Sequence, residues 1–438
     1  MLTLEGTRIK NLGPRTFPSP LGLSSVYGDL IANYVTDDDR VRFEVDIIPD
    51  RPPRATDLSF EKGGPRSKLF FNPAECRAAV VTCGGLCPGL NDVIRSIYVQ
   101  LRFQYGINDL LGVRYGYAGM NPANGFEPIQ LTMAMLDNAH RDGGTILGSS
   151  RGRQPVEVMA DFLRDQRINL FFTVGGDGTQ TGAYLLAREC ERRNMPTAIV
   201  GIPKTIDNDI AYVTRTFGLA TAIDEARKVL DCAHAEARGV PNGIAIVKLM
   251  GRDSGFIAAG ATVASQQVNF TLIPEMPFSL KGENGFLAAL KKRIKGRGHA
   301  VIAIAEGAGR NLLECRDPVC DASGNVLHGD IGIFLKDAIY DYFHSEGMEV
   351  NIKYFDPSYI IRSVPANTTD NLLCDQLGRN AVHAALAGKT EMVVGEWFGM
   401  PTHIPMQLVA GQRKQLDPES TLWLSVMMST GQPARMMG

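Results

Sequence analysis

Neither sign of charge is in excess in this 438-residue chain, where 45 Lys and Arg face 47 Asp and Glu for a formal net charge of -2. No global field therefore draws it to nucleic acid or anionic lipid, and an anionic ligand must be met locally. Long apolar runs are missing as well: charge or glycine interrupts each one well short of the roughly 18 residues a membrane span needs. The eight cysteines (Cys76, Cys83, Cys87, Cys190, Cys232, Cys315, Cys320 and Cys374) are scattered and form no CxxC pair, and the seven histidines are too dispersed to complete a zinc site. Structural thiols in a reducing compartment are the expectation. Nothing at the N-terminus resembles a secretory signal and Arg435–Gly438 carries no peroxisomal or prenylation motif, so a cytoplasmic protein is expected. Short-period repeats and low-complexity stretches are absent, which excludes solenoids and propellers.

What remains, 44% apolar, 21% charged and 8% aromatic, is the composition of a soluble globular protein, long enough for two domains. Residues 1–75 read as an arm, because Pro14, Pro18, Pro20, Pro49, Pro52, Pro53, Pro65 and Pro73 break every candidate helix. Within it Val41–Ile47 alternates like a half-buried strand. From Arg77 onward, short β-branched runs end at glycines and are followed by helical spacing, the grammar of a parallel βα sheet. Strands are expected at 78–82, 170–174 and 198–202, with helices at 155–167 and 180–193. A second set follows a helix at 217–237, with strands at 243–249, 268–273 and 300–305 and helices at 284–295 and 330–345. The expected class is α/β, two Rossmann-like lobes with mostly parallel sheets plus the arm. Its boundaries are arm 1–75, lobes 76–216 and 217–361, and a segment 362–438 that returns to the lobes as an interface or regulatory extension.

Three strand ends carry chemistry. Gly84-Gly85-Leu86-Cys87-Pro88-Gly89 and Gly175-Gly176-Asp177-Gly178-Thr179 allow backbone amides to approach an anion at a helix N-terminus. Neither fits the Walker A or the GxGxxG spacing. Each is also compatible with a tight βα turn. Asp177 facing phosphates calls for a bridging cation, magnesium by preference, the alternative being a helix cap. The third end, Pro203-Lys204-Thr205-Ile206-Asp207-Asn208-Asp209, holds two carboxylates two apart, which face the same way in an extended segment. One can accept a proton from an attacking hydroxyl while the other serves a metal, and the lysine can neutralise phosphate. An Asx-turn loop with solvated charges is the bland reading, more for Asp209 than for Asp207.

Together with Met250-Gly251-Arg252, these motifs make the chain from about Ala78 to about Asn371 resemble the 6-phosphofructokinase family. The arm is similar to the longer ATP-using branch of plants and trypanosomatids. The resemblance implies a phosphofructokinase fold whose first lobe binds nucleotide and magnesium and whose second binds sugar phosphate. It implies Asp207 as the base toward the 1-hydroxyl of fructose 6-phosphate, Thr205 orienting the phosphoryl group, Lys204 and Arg252 as further catalytic groups, and Asp177 as the Mg2+ ligand. Gly85, Tyr117, Arg151, Gly152, Gly176, Gly178, Thr179 and Gly182 fall where the family cradles ATP. Ile206, Met250, Gly251, Arg252, Glu306, Lys353 and the segment Tyr359-Ile360-Ile361-Arg362 fall on the sugar side, Lys353 replacing a more usual arginine.

An allosteric homotetramer, or a homodimer, acting in glycolysis is what the resemblance implies, with no nucleic acid or membrane partner. Gly243 stands where short bacterial members carry an arginine that reaches a neighbouring subunit, so that contact is not expected. The donor turns on Gly178, which leaves room for ATP where pyrophosphate users carry aspartate, although Lys204 is shared with them. The alternatives are the pyrophosphate-dependent reaction, a diacylglycerol or NAD kinase sharing Gly-Gly-Asp-Gly-Thr, and a non-catalytic sugar-phosphate sensor.

Overall fold

The computed structural model describes residues 3–46, 58–313, 319–320, 326–327 and 329–438. Ile47, Pro49, Pro52, Pro53 and Cys315 lie outside the described residues. The chain divides into two units, one of residues 1–205, 210–218 and 364–413, the other of 206–209, 219–363 and 414–438.

In the first unit the β-branched runs become strands because both faces of the sheet are covered. Every residue of Ala78–Thr82, Leu170–Gly175 and Ala198–Pro203 is buried. The nine-stranded sheet runs Arg40–Arg42, Ser59–Lys62, Met400–Pro405, Met392–Trp397, Ala198–Pro203, Leu170–Gly175, Ala78–Thr82, Leu110–Val113, Ile129–Gln130. Neighbours from Met392–Trp397 to Leu110–Val113 pair in parallel, and the flanking strands are antiparallel. Helices Val156–Asp165 and Asp177–Arg192 pack their apolar stripes on it, the latter beginning three residues earlier than its spacing predicts.

The arm extends this sheet. Its alternating run forms a strand only over Arg40–Arg42, paired with Ser59–Lys62, which pairs in turn with Met400–Pro405. Phe43 N–H still donates to the Leu58 carbonyl at 2.9 Å, while its ring stacks on Trp397 at 5.1 Å and its carbonyl accepts from the Trp397 indole N–H. Beneath lies a buried ion network. Lys389 Nζ meets Glu61 at 2.8 Å and Asp37 at 3.1 Å, Arg66 meets the same two carboxylates at 2.8 and 2.9 Å, and His403 Nδ1 lies 2.9 Å from Glu61. Burial pushes the Glu61 carboxyl up, but His403 and Lys389 outweigh it and hold it down at about 2.

The second unit carries a four-stranded parallel sheet in the order Phe270–Leu272, His299–Ala305, Gly243–Leu249, Asn351–Phe355. Helices Leu219–Arg238, Phe286–Arg297 and Ile331–Ser345 follow the expected segments within a few residues, whereas helix Phe256–Ser265 was not expected. The C-terminal helix Thr421–Thr430 belongs here too, and Gln432 beyond it satisfies the edge strand by accepting from Thr271 N–H at 2.6 Å. Among the described residues, no helix is long and apolar enough to cross a membrane.

The Glu61 network makes a pH prediction. A carboxyl held below its unfolded value stabilises the fold above that value, and the contribution is lost as pH falls from about 4.5 toward 2. Glu61→Ala, which leaves Lys389 and Arg66 short of a counter-charge, is expected to cost about 3–5 kcal/mol at neutral pH. Urea denaturation of both proteins between pH 2 and 7 checks this: the gap should narrow as the wild-type carboxyl protonates.

Candidate active site

The parallel registers decide what meets at the edge of the first unit. Pro203 pairs with Gly175 and Thr82 with Val174, so three adjacent strands end nearly level. With strands about 4.8 Å apart, their loops fall within about 10 Å of one another. The arrangement is tied across. Lys204, only 5% exposed, donates from its ammonium to the Gly85 carbonyl at 2.7 Å and from its amide to Gly175 at 3.0 Å. Thr205 accepts at its carbonyl from the Thr216 hydroxyl at 2.6 Å. Gly84 N–H donates to the Ser150 carbonyl, which brings the exposed Arg151 and Gly152 beside the first loop.

Helix Asp177–Arg192 begins at the second strand end with Gly176 as its N-cap, so its positive dipole end faces the same edge. Asp177 does not cap it; its Oδ1 instead accepts from the Gly411 amide at 2.8 Å. Tyr117 lies under the helix, its hydroxyl donating to the Thr179 carbonyl at 2.8 Å and its ring 2.8 Å from where a Cβ on Gly182 would stand. Tyr117 and Thr179 are buried supports of the loop, whereas Gly178 is exposed. Gly178 is also unconstrained by the fold: its φ is not positive, and a Cβ there would meet nothing within 4 Å.

Asp207 belongs to the second unit. The chain turns at Ile206–Asp207 and Asn208 is left-handed at φ 54, so the extended segment that would face Asp207 and Asp209 the same way does not form. Asn tolerates that region better than most residues. Ser254 Oγ donates to the Asp207 carbonyl at 2.7 Å, and the Lys414 amide donates to the Asp209 carbonyl at 2.8 Å. The Lys414 ammonium lies 5.2 Å from the Phe256 ring centroid, and burial pulls it down to about 7 against the opposing charge of Asp209.

Met250-Gly251-Arg252 follows the strand Gly243–Leu249, and Glu306 ends its neighbour His299–Ala305, with Glu306 N–H donating to Leu249 at 2.8 Å. The two loops touch through glycine. Gly251 has φ 125 and a Cβ on it would meet the Ser254 carbonyl at 2.4 Å, while one on Gly307 would meet the Arg252 carbonyl at 1.8 Å. Arg252 Nε consequently lies 3.9 Å from Glu306 Oε1, and Arg310 braces the loop through Asp253 at 2.6 Å and the Arg252 carbonyl.

In the segment Tyr359–Arg362 the Arg362 guanidinium stacks 4.9 Å over the exposed Tyr359 ring, with Ile360 also exposed. Ile361 and Ile206 are buried anchors instead. Lys353 is not brought to this edge: it pairs with Ala245, four residues before Leu249, about 13 Å along the strand. Gly243 has no room for a side chain, since a Cβ would meet the Ala237 carbonyl at 2.0 Å.

The reading of the sequence missed Ser254, Glu275, Gly411 and Lys414. Glu275 accepts from the Gly255 and Leu416 amides at 2.9 and 2.8 Å. Its signal was available, a carboxylate three residues past a strand ending at Leu272, much as Glu306 follows Ala305. Gly411 and Lys414 lie too far along the chain for any local pattern to have placed them.

Residues 77–385 match the family described as Phosphofructokinase, a span that includes the Asp177, Asp207, Arg252, Glu306 and Arg362 loops. The chain belongs to the phosphofructokinase family. Its similarity to an ATP-dependent 6-phosphofructokinase of Borreliella burgdorferi is 46% identity over 412 residues, 92% of each chain. ATP-dependent 6-phosphofructokinase 7 of Arabidopsis thaliana is 42% identical over 421 residues, 96% of this chain and 86% of that one. Among solved structures, a pyrophosphate-dependent phosphofructokinase from Marinobacter aquaeolei has a TM-score of 0.68 at 20% identity, covering 83% of this chain and 92% of that one, a likeness of fold. The expected α/β phosphofructokinase fold is therefore the observed one, and membership of this family sets aside the diacylglycerol and NAD kinase alternative.

Two glycines of this chain differ in what the fold asks of them. Gly251→Ala should destabilise the protein by about 1–3 kcal/mol, because the backbone there suits glycine and the carbonyl of Ser254 must move. Gly178→Ala should leave stability unchanged or raise it by up to about 1 kcal/mol, the difference in helix propensity. Chemical denaturation of the two variants beside the parent measures both.

Proposed function

We propose that this chain transfers the terminal phosphoryl group of ATP to the 1-hydroxyl of fructose 6-phosphate, giving fructose 1,6-bisphosphate, in keeping with the names of its relatives. Gly178 carries the donor assignment. It sits in the first turn of a 16-residue helix with no backbone or packing reason to be glycine, which leaves room for a ligand there. A carboxylate there would take up space and repel the nucleotide phosphates. Lys204 serves either donor, since an ammonium neutralises phosphate without selecting what lies beyond it.

In this reading the amides around Gly85, Gly176 and Gly178 and the loop of Arg151 and Gly152 cradle the triphosphate, and Lys204 brings a positive charge to the first loop. Thr205 orients the transferring group and Asp207 takes the proton from the 1-hydroxyl. Met250, Gly251, Arg252 and Glu306 hold the sugar, the carboxylate accepting from its hydroxyls. Tyr359 and Arg362 take the 6-phosphate, the guanidinium already oriented by the ring it stacks on. Ile206 and Ile361 keep their backbones in place. Lys353, remote from this edge within the chain, has no role here.

Asp177 suits magnesium, which retains several waters and takes one or two carboxylates together with substrate phosphates. Among the described residues no group of three His, Cys, Asp or Glu offers an alternative cage. When bound, the ion would neutralise charge on the donor phosphates.

The proposal includes a homotetramer in the cytoplasm. Val26, Tyr27, Leu30 and Ile31 of the arm are exposed apolar residues of the kind an interface covers. Cys76, Cys83, Cys190, Cys232 and Cys374 are free thiols, with Cys83 pushed up by burial to about 12.

Steady-state assay with each donor tests the reading. ATP should support turnover, and pyrophosphate-only turnover would overturn it. Gly178→Asp should fold normally and lose ATP use. Asp207→Asn should lower kcat by roughly 10²–10⁴ with fructose 6-phosphate affinity little changed. Unchanged kcat in that variant would remove Asp207 from the chemistry.

A further inference from the structure

Asp207 lies in a turn, followed by a left-handed residue, rather than in a strand, so no ladder fixes the aim of its carboxylate. Among the contacts that hold that turn, two hydrogen bonds grip its backbone. The Ser254 hydroxyl donates to the carbonyl of Asp207 itself, and the Lys414 amide donates to the carbonyl of Asp209. The gripping groups come from segments about 160 residues apart in the chain, yet they are coupled. Oε1 of Glu275 accepts both from Gly255, next to Ser254, and from Leu416, two residues after Lys414. Oε2 is buried and accepts no hydrogen bond among the described residues, so a single carboxylate oxygen does the joining. Gln415 Nε2 adds a longer bond, 3.4 Å, to the Asp253 carbonyl on the same loop.

We propose that Glu275 is a positioning residue for the proton-accepting step: by locking the Ser254 loop to the 414–416 segment it holds the Asp207 turn in one orientation. Glu275 touches no reacting atom in this scheme. It acts through Ser254 and Lys414 on the backbone of Asp207, and the argument rests on the reading of Asp207 as the base. Because a displacement of about 1 Å in a catalytic group can cost on the order of 100-fold in rate, loosening the turn should show in kcat before it shows in substrate affinity.

A purely structural alternative is at hand, since Gly255 is the N-cap of helix Phe256–Ser265 and Glu275 also secures that helix end. Kinetics separate the two. In the full-length protein, Glu275→Ala should lower kcat by about 10–100-fold, with KM for ATP and for fructose 6-phosphate each within about 3-fold of the parent. Glu275→Gln keeps an oxygen able to accept from both amides and should recover kcat to within about 3-fold of the parent. Ser254→Ala, a smaller change that removes one grip directly, should lower kcat in the same way by about 3–10-fold.

Wild-type kcat in Glu275→Ala would overturn the proposal, whatever happens to its melting temperature. So would a Gln variant as impaired as the Ala variant, which would mean that charge and not the hydrogen bonds matters. If Glu275→Ala does not fold, Ser254→Ala decides, and an unchanged kcat there counts against the clamp. Asp207→Asn run alongside distinguishes the failures: a fully active Asn variant removes the base assignment, whereas an inactive one beside unaffected Glu275 and Ser254 variants removes only the clamp.

Discussion

The pairing of Pro203 with Gly175 and of Thr82 with Val174 is the constraint on which the loop edge of the first unit depends. Parallel strands place all their C-terminal ends on one edge, and a level register turns three loops distant in sequence into one surface of backbone amides. Lys204 then joins the outer two by donating to Gly85, and its buried ammonium makes the first and third loops electrically a single unit. A slip of one residue in either ladder would reverse the facing of every side chain in that strand and separate these groups. The arrangement of this edge thus rests on the ordinary apolar runs of the sheet interior rather than on the motif residues alone.

The second unit solves a comparable problem by close contact. Glycines 251 and 307 allow the loops bearing Arg252 and Glu306 to approach to a distance that any side chain would prevent. Glycine therefore has two opposite meanings in this molecule. At Gly251, Gly307 and Gly243 the fold demands it, and at Gly178 the fold is indifferent.

Strand ends with their glycines were legible because parallel βα units write both a β-branched run and its terminating loop locally. For the same reason the strands Gly243–Leu249 and His299–Ala305 fall within a residue of where their patterns place them. The Val41–Ile47 strand was only partly legible, since the regular strand stops at Arg42 and the Phe43 ring stacks on Trp397, a partner about 350 residues away that no local pattern contains. Likewise the facing of Asp207 and Asp209 could not be read from their spacing, because alternation holds only in extended backbone and Asn208 is left-handed. Lys353 matched a family position yet stands in mid-strand, a fact of register that no single segment contains. Contacts of Gly411 with Asp177 and of Lys414 with Asp209 join segments about 200 residues apart, and local periodicity carries no information at that range.

The central claim, as proposed, is that the amides at two of the three level strand ends, around Gly85 and Gly176–Gly178, receive the donor phosphates. A crystal structure of the protein with a non-hydrolysable ATP analogue and magnesium measures it most directly. The account predicts phosphate oxygens within hydrogen-bonding distance of the backbone around Gly85 and Gly176–Gly178. Well-ordered nucleotide bound away from those loops, with the amides facing solvent, would contradict it.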